Sequence, residues 1–193
     1  MKGLESVAND EQGRELWSSG ALRAVLTSVV AAPCLDLEFI SAKEGESPAF
    51  QQLFPRVVRA YGEHFGVVTA DAGLAAAPNA ALVREVGKHY CFGLKANQPT
   101  LHEYAMQAIA ARQCPARART QERAHGKMVV RELRTHALKP GEVDFPGARM
   151  LLLVRQQHWD GDGGCEEEYR YFVTSLDTTV FNFQQLLRLV RVH

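Results

Sequence analysis

The run Gly66-Val-Val-Thr-Ala-Asp-Ala-Gly73 constrains the fold most, because an apolar stretch that reads as a buried strand ends on one carboxylate and passes straight into a helical segment. That order puts Asp71 at the C-terminal end of a strand, where open α/β sheets gather their ligands and their chemistry. A second apolar run, Tyr90-Cys-Phe-Gly-Leu94, closes on the polar cluster Lys95-Ala-Asn97-Gln98-Pro99. Two strand ends with polar tips suggest one shared site.

The periodicity on either side fits an alternating architecture. Residues 21–32 and 35–42 read as a hairpin turning near Pro33, with Leu35, Leu37 and Phe39 alternating with Asp36 and Glu38 as in a half-exposed strand. Ser47-Pro48 reads as an N-cap followed by proline at the first helical position, and Phe50, Leu53, Phe54, Val57, Val58 and Tyr61 recur at helical spacing. Pro55 should bend or restart that helix. Residues 75–87 read as a helix with Leu82, Val83 and Val86 inward and Gly87 as C-cap. A strand over 89–95 follows, and Pro99-Thr100 opens another helix. The order β-β-α-β-α-β-α predicts an α/β sheet with helices packed against it.

From Arg117 the period changes. Residues 119–138 read as a strand, or as a hairpin turning near His125-Gly126, and strands are expected over 149–158 and 167–175. Between them Asp160-Gly-Asp-Gly-Gly164 has the composition of a hairpin turn and lacks the spacing and terminal glutamate of a calcium loop. The last helix, Phe183 to Val192, should turn Leu186, Leu187, Leu189 and Val190 inward.

At 193 residues the chain suits a single domain, and its 46% hydrophobic and 23% charged content is that of a globular protein. The best apolar run, Ala24 to Leu35, is too short to span a membrane, and the charged first twenty residues lack the centre of a signal peptide, so a cytoplasmic location without membrane contact is expected. Cysteines 34, 91, 114 and 165 are too scattered for a zinc knuckle or a redox pair and read as reduced thiols. His64, His89, His102, His136 and His158 form no ligand spacing and read as surface residues. No glycine-rich phosphate loop and no nucleophile elbow occurs, which leaves a small-molecule α/β enzyme without support.

Net charge is zero, but the charges are sorted. Between Arg112 and Lys139 eight basic residues stand against Glu122 and Glu132, whereas between Gly141 and Arg170 acids dominate. The basic segment suits either a phosphate-binding patch or a solvated charged strand. Taken alone, an aspartate after a strand is more often a helix cap than a metal ligand.

Several runs together carry a resemblance. Val-Thr-Ala-Asp71-Ala, Tyr90-Cys-Phe-Gly-Leu-Lys95-Ala-Asn97-Gln98-Pro99-Thr-Leu101, His125-Gly126 with Arg131-Glu-Leu133, Tyr171-Phe-Val-Thr-Ser-Leu176, and Leu187-Arg-Leu-Val-Arg-Val-His193 resemble, in order and spacing, insertion-sequence transposases of the H-repeat-associated type, in the DDE superfamily. The likeness covers nearly the whole chain, and Lys-x-Asn-Gln-Pro-Thr-Leu is its most specific piece. It implies an α/β, ribonuclease-H-like mixed sheet with flanking helices, a core of residues 1–114 and 177–193, and a β-rich insertion over about 115–176 before the last helix.

It also implies DNA transposition: magnesium-dependent cleavage and strand transfer of transposon-end DNA, with DNA as partner and a homodimer admitted for a full-length parent. Three carboxylates hold the Mg2+ ions of such enzymes, one ion activating the attacking oxygen and the other stabilising the leaving one. The resemblance assigns the second of these acids to Asp71. Lys95, Asn97 and Gln98 at the neighbouring strand end suit either contacts to phosphate or base edges near the cut or a loop that merely starts the helix at Thr100. His125, Lys127 and Arg131 on the basic insertion suit either DNA contacts or solvated residues. The family's first aspartate would fall just before Met1 and its glutamate just beyond His193, so the expectation is a truncated core that binds metal weakly and does not cleave DNA. The alternative is a non-catalytic nucleic-acid-binding module built on the basic 112–139 segment.

Overall fold

The computed structural model describes residues 5–9, 15–18, 20–27, 32–40, 45–111, 113–124, 126–160 and 163–190. By compactness the chain divides into two units, Met1–Gly66 and Val67–His193.

In the first unit β1 (Glu5–Asn9) pairs antiparallel with β2 (Glu15–Ser18), a pair that the sequence pattern does not announce. β3 (Gly20–Val25) and β4 (Cys34–Ile40) form the expected hairpin, with Ala21 opposite Phe39 and Arg23 opposite Leu37. β3 ends at Val25, well short of residue 32; residues 28–31 lie outside the described residues. Helix α1 (Glu46–Tyr61) packs on both strands and buries Phe50, Leu53, Phe54 and Val57. Phe50 and Phe54, one turn apart, stack with ring centroids 5.2 Å apart.

Two expectations for α1 are corrected. It starts one residue before Ser47, after Gly45 at φ 76, so Pro48 is the third helical residue; this is still the first turn, where no intrahelical N–H bond is lost. It also runs on through Pro55, which is exposed, instead of restarting there.

β4 shows its apolar side chains to solvent. Leu37 is 41% and Phe39 59% exposed, whereas Asp36 and Glu38 are partly buried. Arg56 of α1 accounts for the facing: its Nε lies 2.9 Å from Asp36 Oδ2, its Nη1 2.6 Å from Glu38 Oε2, and its Nη2 donates to the Leu37 carbonyl at 3.2 Å. Carboxylates two residues apart share one strand face, which matches the fork of a guanidinium. Arg56 in turn holds the Asp36 carboxyl below its ordinary value.

The second unit is a six-stranded mixed sheet in the order β5-β6-β10-β9-β8-β7, with helices, which makes this a mixed α/β fold. β5 (Val67–Ala70) and β6 (His89–Leu94) are parallel and joined through α2 (Ala77–Glu85). α3 (Pro99–Ala111) leads to an antiparallel meander of β7 (Ala118–Ala124), β8 (Lys127–Ala137), β9 (Met150–Trp159) and β10 (Cys165–Thr174), and β10 returns to pair with β6. α4 (Phe183–Leu189) follows.

One face of the sheet presents Cys91, Leu133, Met150, Leu152, Val154 and Phe172 to Leu186, Leu187 and Val190 of the last helix and its end. α3 packs on the other face against β8, β9 and β10, where the His102 ring meets Tyr171 edge-on at 5.2 Å. Both helix ends have local causes. Asn182 and Gln185 form a reciprocal capping box at the start of α4, and Gly87 at φ 73 ends the α2 turn as expected.

Other side chains depart from expectation. Val86 is 40% exposed, because α2 ends at Glu85. His136 is buried at 3%, not at the surface. Cys91 and Cys114 are buried, Cys34 and Cys165 exposed, and all four are free thiols; burial pushes the Cys91 thiol up to about 12. Among the described residues no helix is long and apolar enough to cross a membrane.

Candidate functional site

Because β5 and β6 run parallel with Ala70 beside Phe92, their C-terminal ends emerge together, Asp71 from one and Lys95 from the other. The Asp71 side chain is exposed, and its Oδ1 accepts from the Gly73 N–H at 3.1 Å, capping a single 3-10 turn over Ala72–Leu74. The cap reading of this residue is therefore realised, and it uses one carboxylate oxygen.

Three neighbours fix that turn. Buried Asn79 donates from Nδ2 to the Leu74 carbonyl at 3.0 Å. Asn97 donates from Nδ2 to the Ala72 carbonyl, tying the loop after β6 to the turn after β5. Under the turn lies Gly93, where a Cβ would stand 3.2 Å from the Ala72 nitrogen and 3.4 Å from the Asp71 carbonyl carbon. Glycine is needed here for close approach and not for an unusual φ.

The loop itself is a compact turn. The Gln98 N–H donates to the Lys95 carbonyl at 3.0 Å, and the Gln98 carbonyl accepts from His102 N–H at 2.9 Å, launching α3. Lys95 is exposed, and Gln98 is partly buried. Asp71, Lys95, Asn97 and Gln98 thus share one end of the parallel pair, with the Asn97 amide turned inward.

The insertion residues stand elsewhere. The hairpin turns between Ala124 and Lys127, near where the sequence suggests, with Gly126 at φ 78; His125 lies outside the described residues. Lys127 and Arg131 sit on β8, separated from β6 by β9 and β10. Arg131 is 15% exposed and donates at 2.6 Å to both Glu122 Oε1 and Gln156 Oε1; Lys127 Nζ lies 3.4 Å from Glu166. Arg155 stands between Glu132 at 3.6 Å and Glu167 at 2.5 Å, and Arg119 is 3.9 Å from Glu132. Folding lays the basic segment beside the acidic one, so the charges sorted along the chain are interleaved across the sheet.

Among the described residues no group of three or more His, Cys, Asp or Glu could hold a metal ion. Asp36 and Glu38 are occupied by Arg56. A lone carboxylate can bind a hard cation only weakly, because Mg2+ is otherwise left to water and substrate phosphates.

A polar network absent from the sequence reading ties α3 to the β8–β9 connection. Glu142 accepts from Tyr104 Oη at 2.6 Å and from the Lys139 N–H at 2.6 Å, and His136 Nε2 lies 3.2 Å away. These partners, the Lys139 amide foremost, hold its carboxyl down at about 2. The five-residue gap between His136 and Glu142 crosses a turn and follows no helix or strand period, so periodicity could not reveal it.

No protein-family model matches this chain, and no curated protein is significantly similar to it.

Proposed function

We propose that this polypeptide is part of the catalytic core of a DDE transposase with a ribonuclease-H-like sheet, acting in metal-dependent cleavage and transfer of transposon-end DNA, with Asp71 as one carboxylate of the metal site. The observation that carries the reading is an exposed carboxylate at the C-terminal end of a parallel strand pair, roped to the neighbouring Lys95–Gln98 loop by Asn97. The parallel pair followed by an antiparallel meander and a last helix agrees with a core carrying a β-rich insertion. The motif likeness supplies the reaction.

Two ions need more than one carboxylate, so the reading requires further acids from outside the described residues. For this chain alone the expected result is weak Mg2+ binding and no strand cleavage. Titration with Mn2+, followed by paramagnetic broadening of the amide signals, should affect Ala72, Gly73 and Lys95 first, and Asp71→Asn should remove the effect. Broadening that spares these residues would refute the ligand role. Magnesium-dependent nicking of transposon-end DNA that disappears in Asp71→Ala would instead refute the incompleteness of the site.

A further inference from the structure

The outer parts of β7–β10 have two faces of different character. In an antiparallel ladder directly opposed residues share a face. Arg131, Gln156 and Glu168 therefore lie on one face with Lys127, Glu122, Glu166 and Arg170, where three cations meet three carboxylates. Arg119, Glu132, Arg155 and Tyr169 lie on the other, together with Arg123, Arg134, Glu167 and Trp159, so that four arginines meet two glutamates.

The exposed aromatic rings are on the cationic side. Tyr169 is 52% and Trp159 42% exposed. Tyr169 faces Arg155, and Trp159 lies four residues further along β9, about 13 Å at the usual strand rise. Arg119 is 60% exposed with only a 3.9 Å contact to Glu132, and Arg123 is exposed and makes no ion pair among the described residues. Lys127 and Arg131, the basic residues that the sequence singles out, are on the balanced face.

We infer that the Arg119, Arg123, Tyr169 and Trp159 face binds single-stranded nucleic acid, with bases stacking on the two aromatic rings and phosphates held by the edge-strand arginines. Rings spaced along a cationic strand face offer a sequence-tolerant platform, since every base has a π-face and every linkage a charge. An excess of cations with exposed aromatics suits this ligand better than an acidic peptide, whose charges can pair with the arginines but which does not bring an aromatic base with every charge. The inference does not depend on the metal role of Asp71.

The test is fluorescence anisotropy of a labelled oligothymidine with the full chain across a salt series. Tyr169→Ala and Trp159→Ala should each weaken binding by about fivefold or more, while Tyr169→Phe keeps it. Arg123→Ala should reduce the slope of log affinity against log salt by about 0.7, and Arg170→Ala, on the opposite face, should not. Four outcomes overturn the inference: loss on Lys127→Ala with Arg123→Ala silent, indifference to both aromatic substitutions, equal competition by polyglutamate, or no oligothymidine binding. Duplex transposon-end DNA run in parallel separates this from the proposed function, because duplex binding that ignores both rings removes the platform and leaves the transposase reading standing.

Discussion

β9 and β10 each pass through two environments within ten residues. Met150 to Val154 and Phe172 to Thr174 are buried because α3 and the α4 segment cover the two faces of the sheet there. Arg155 to Trp159 and Cys165 to Tyr171, in the same ladder and register, are partly or wholly exposed, and a mesh of ion pairs and side-chain hydrogen bonds replaces the helices. Hydrogen-bonded backbone is common to both halves, so the difference lies in what the side chains meet. The covered half gains from apolar burial, at roughly 25 cal/mol per Å2, while exposed ion pairs contribute about 0–1 kcal/mol each. The outer half can therefore change its surface with little effect on the fold.

The largest effect expected from this contrast is at Leu152, which is fully buried. Leu152→Ala should lower stability by about 2–5 kcal/mol, measured by urea unfolding. A loss near that of an outer-half substitution would break the comparison. Gly93→Ala comes next: its Cβ would press on the backbone of the Asp71 turn, for a loss of about 1–3 kcal/mol and a shifted Gly73 amide resonance. An unchanged Gly73 signal would show that the turn gives way freely.

Acid sharpens the comparison further, since Glu142, on the β8–β9 connection beside α3, and Glu167 in the outer half are both held at about 2, below an ordinary 4.5. A depressed carboxyl contributes its stability in full above the ordinary value and loses it as pH falls toward 2. The partners differ: Glu167 depends first on Arg155, and Glu142 on the Lys139 amide and the Tyr104 hydroxyl. In about 1 M salt the acid-linked loss attributable to Glu167, found by comparison with Glu167→Gln, should shrink, whereas that attributable to Glu142 should persist. Urea midpoints between pH 5 and pH 2.5 decide it. The smallest effect is Arg119→Ala on the sheet edge, where a 3.9 Å contact at 60% exposure leaves stability within about 0.5 kcal/mol.

Much of this fold was legible because its elements keep a period. The strand expected over 167–175, the helix opened by Pro99-Thr100 and the turn between Ala124 and Lys127 all stand close to where the sequence puts them. β1 and β2 were not legible, being short and holding no run of alternating apolar residues. The facing of β4 was hidden for a different reason: it is set by Arg56, which stands on another element. At the site the approach of Asp71 to Lys95 followed from parallel strands, but the tie through Asn97 and the fit over Gly93 are tertiary contacts with no local signature. The pairing within the basic hairpin could have been read once the two-residue turn was known, since it puts Lys127 opposite Ala124 and dictates every later pair; the opposition of basic and acidic segments is set by the longer connection between β8 and β9.

Gly93 lets the Asp71 turn lie close over the strand by having a hydrogen where other residues carry a Cβ. A carboxylate serving a hard cation must sit within about 0.2 Å of its ideal bond length. The few tenths of an ångström that an added carbon would demand are as large as that allowance. On the proposed metal role of Asp71, a residue that touches no ligand would in this way set the position of the acid.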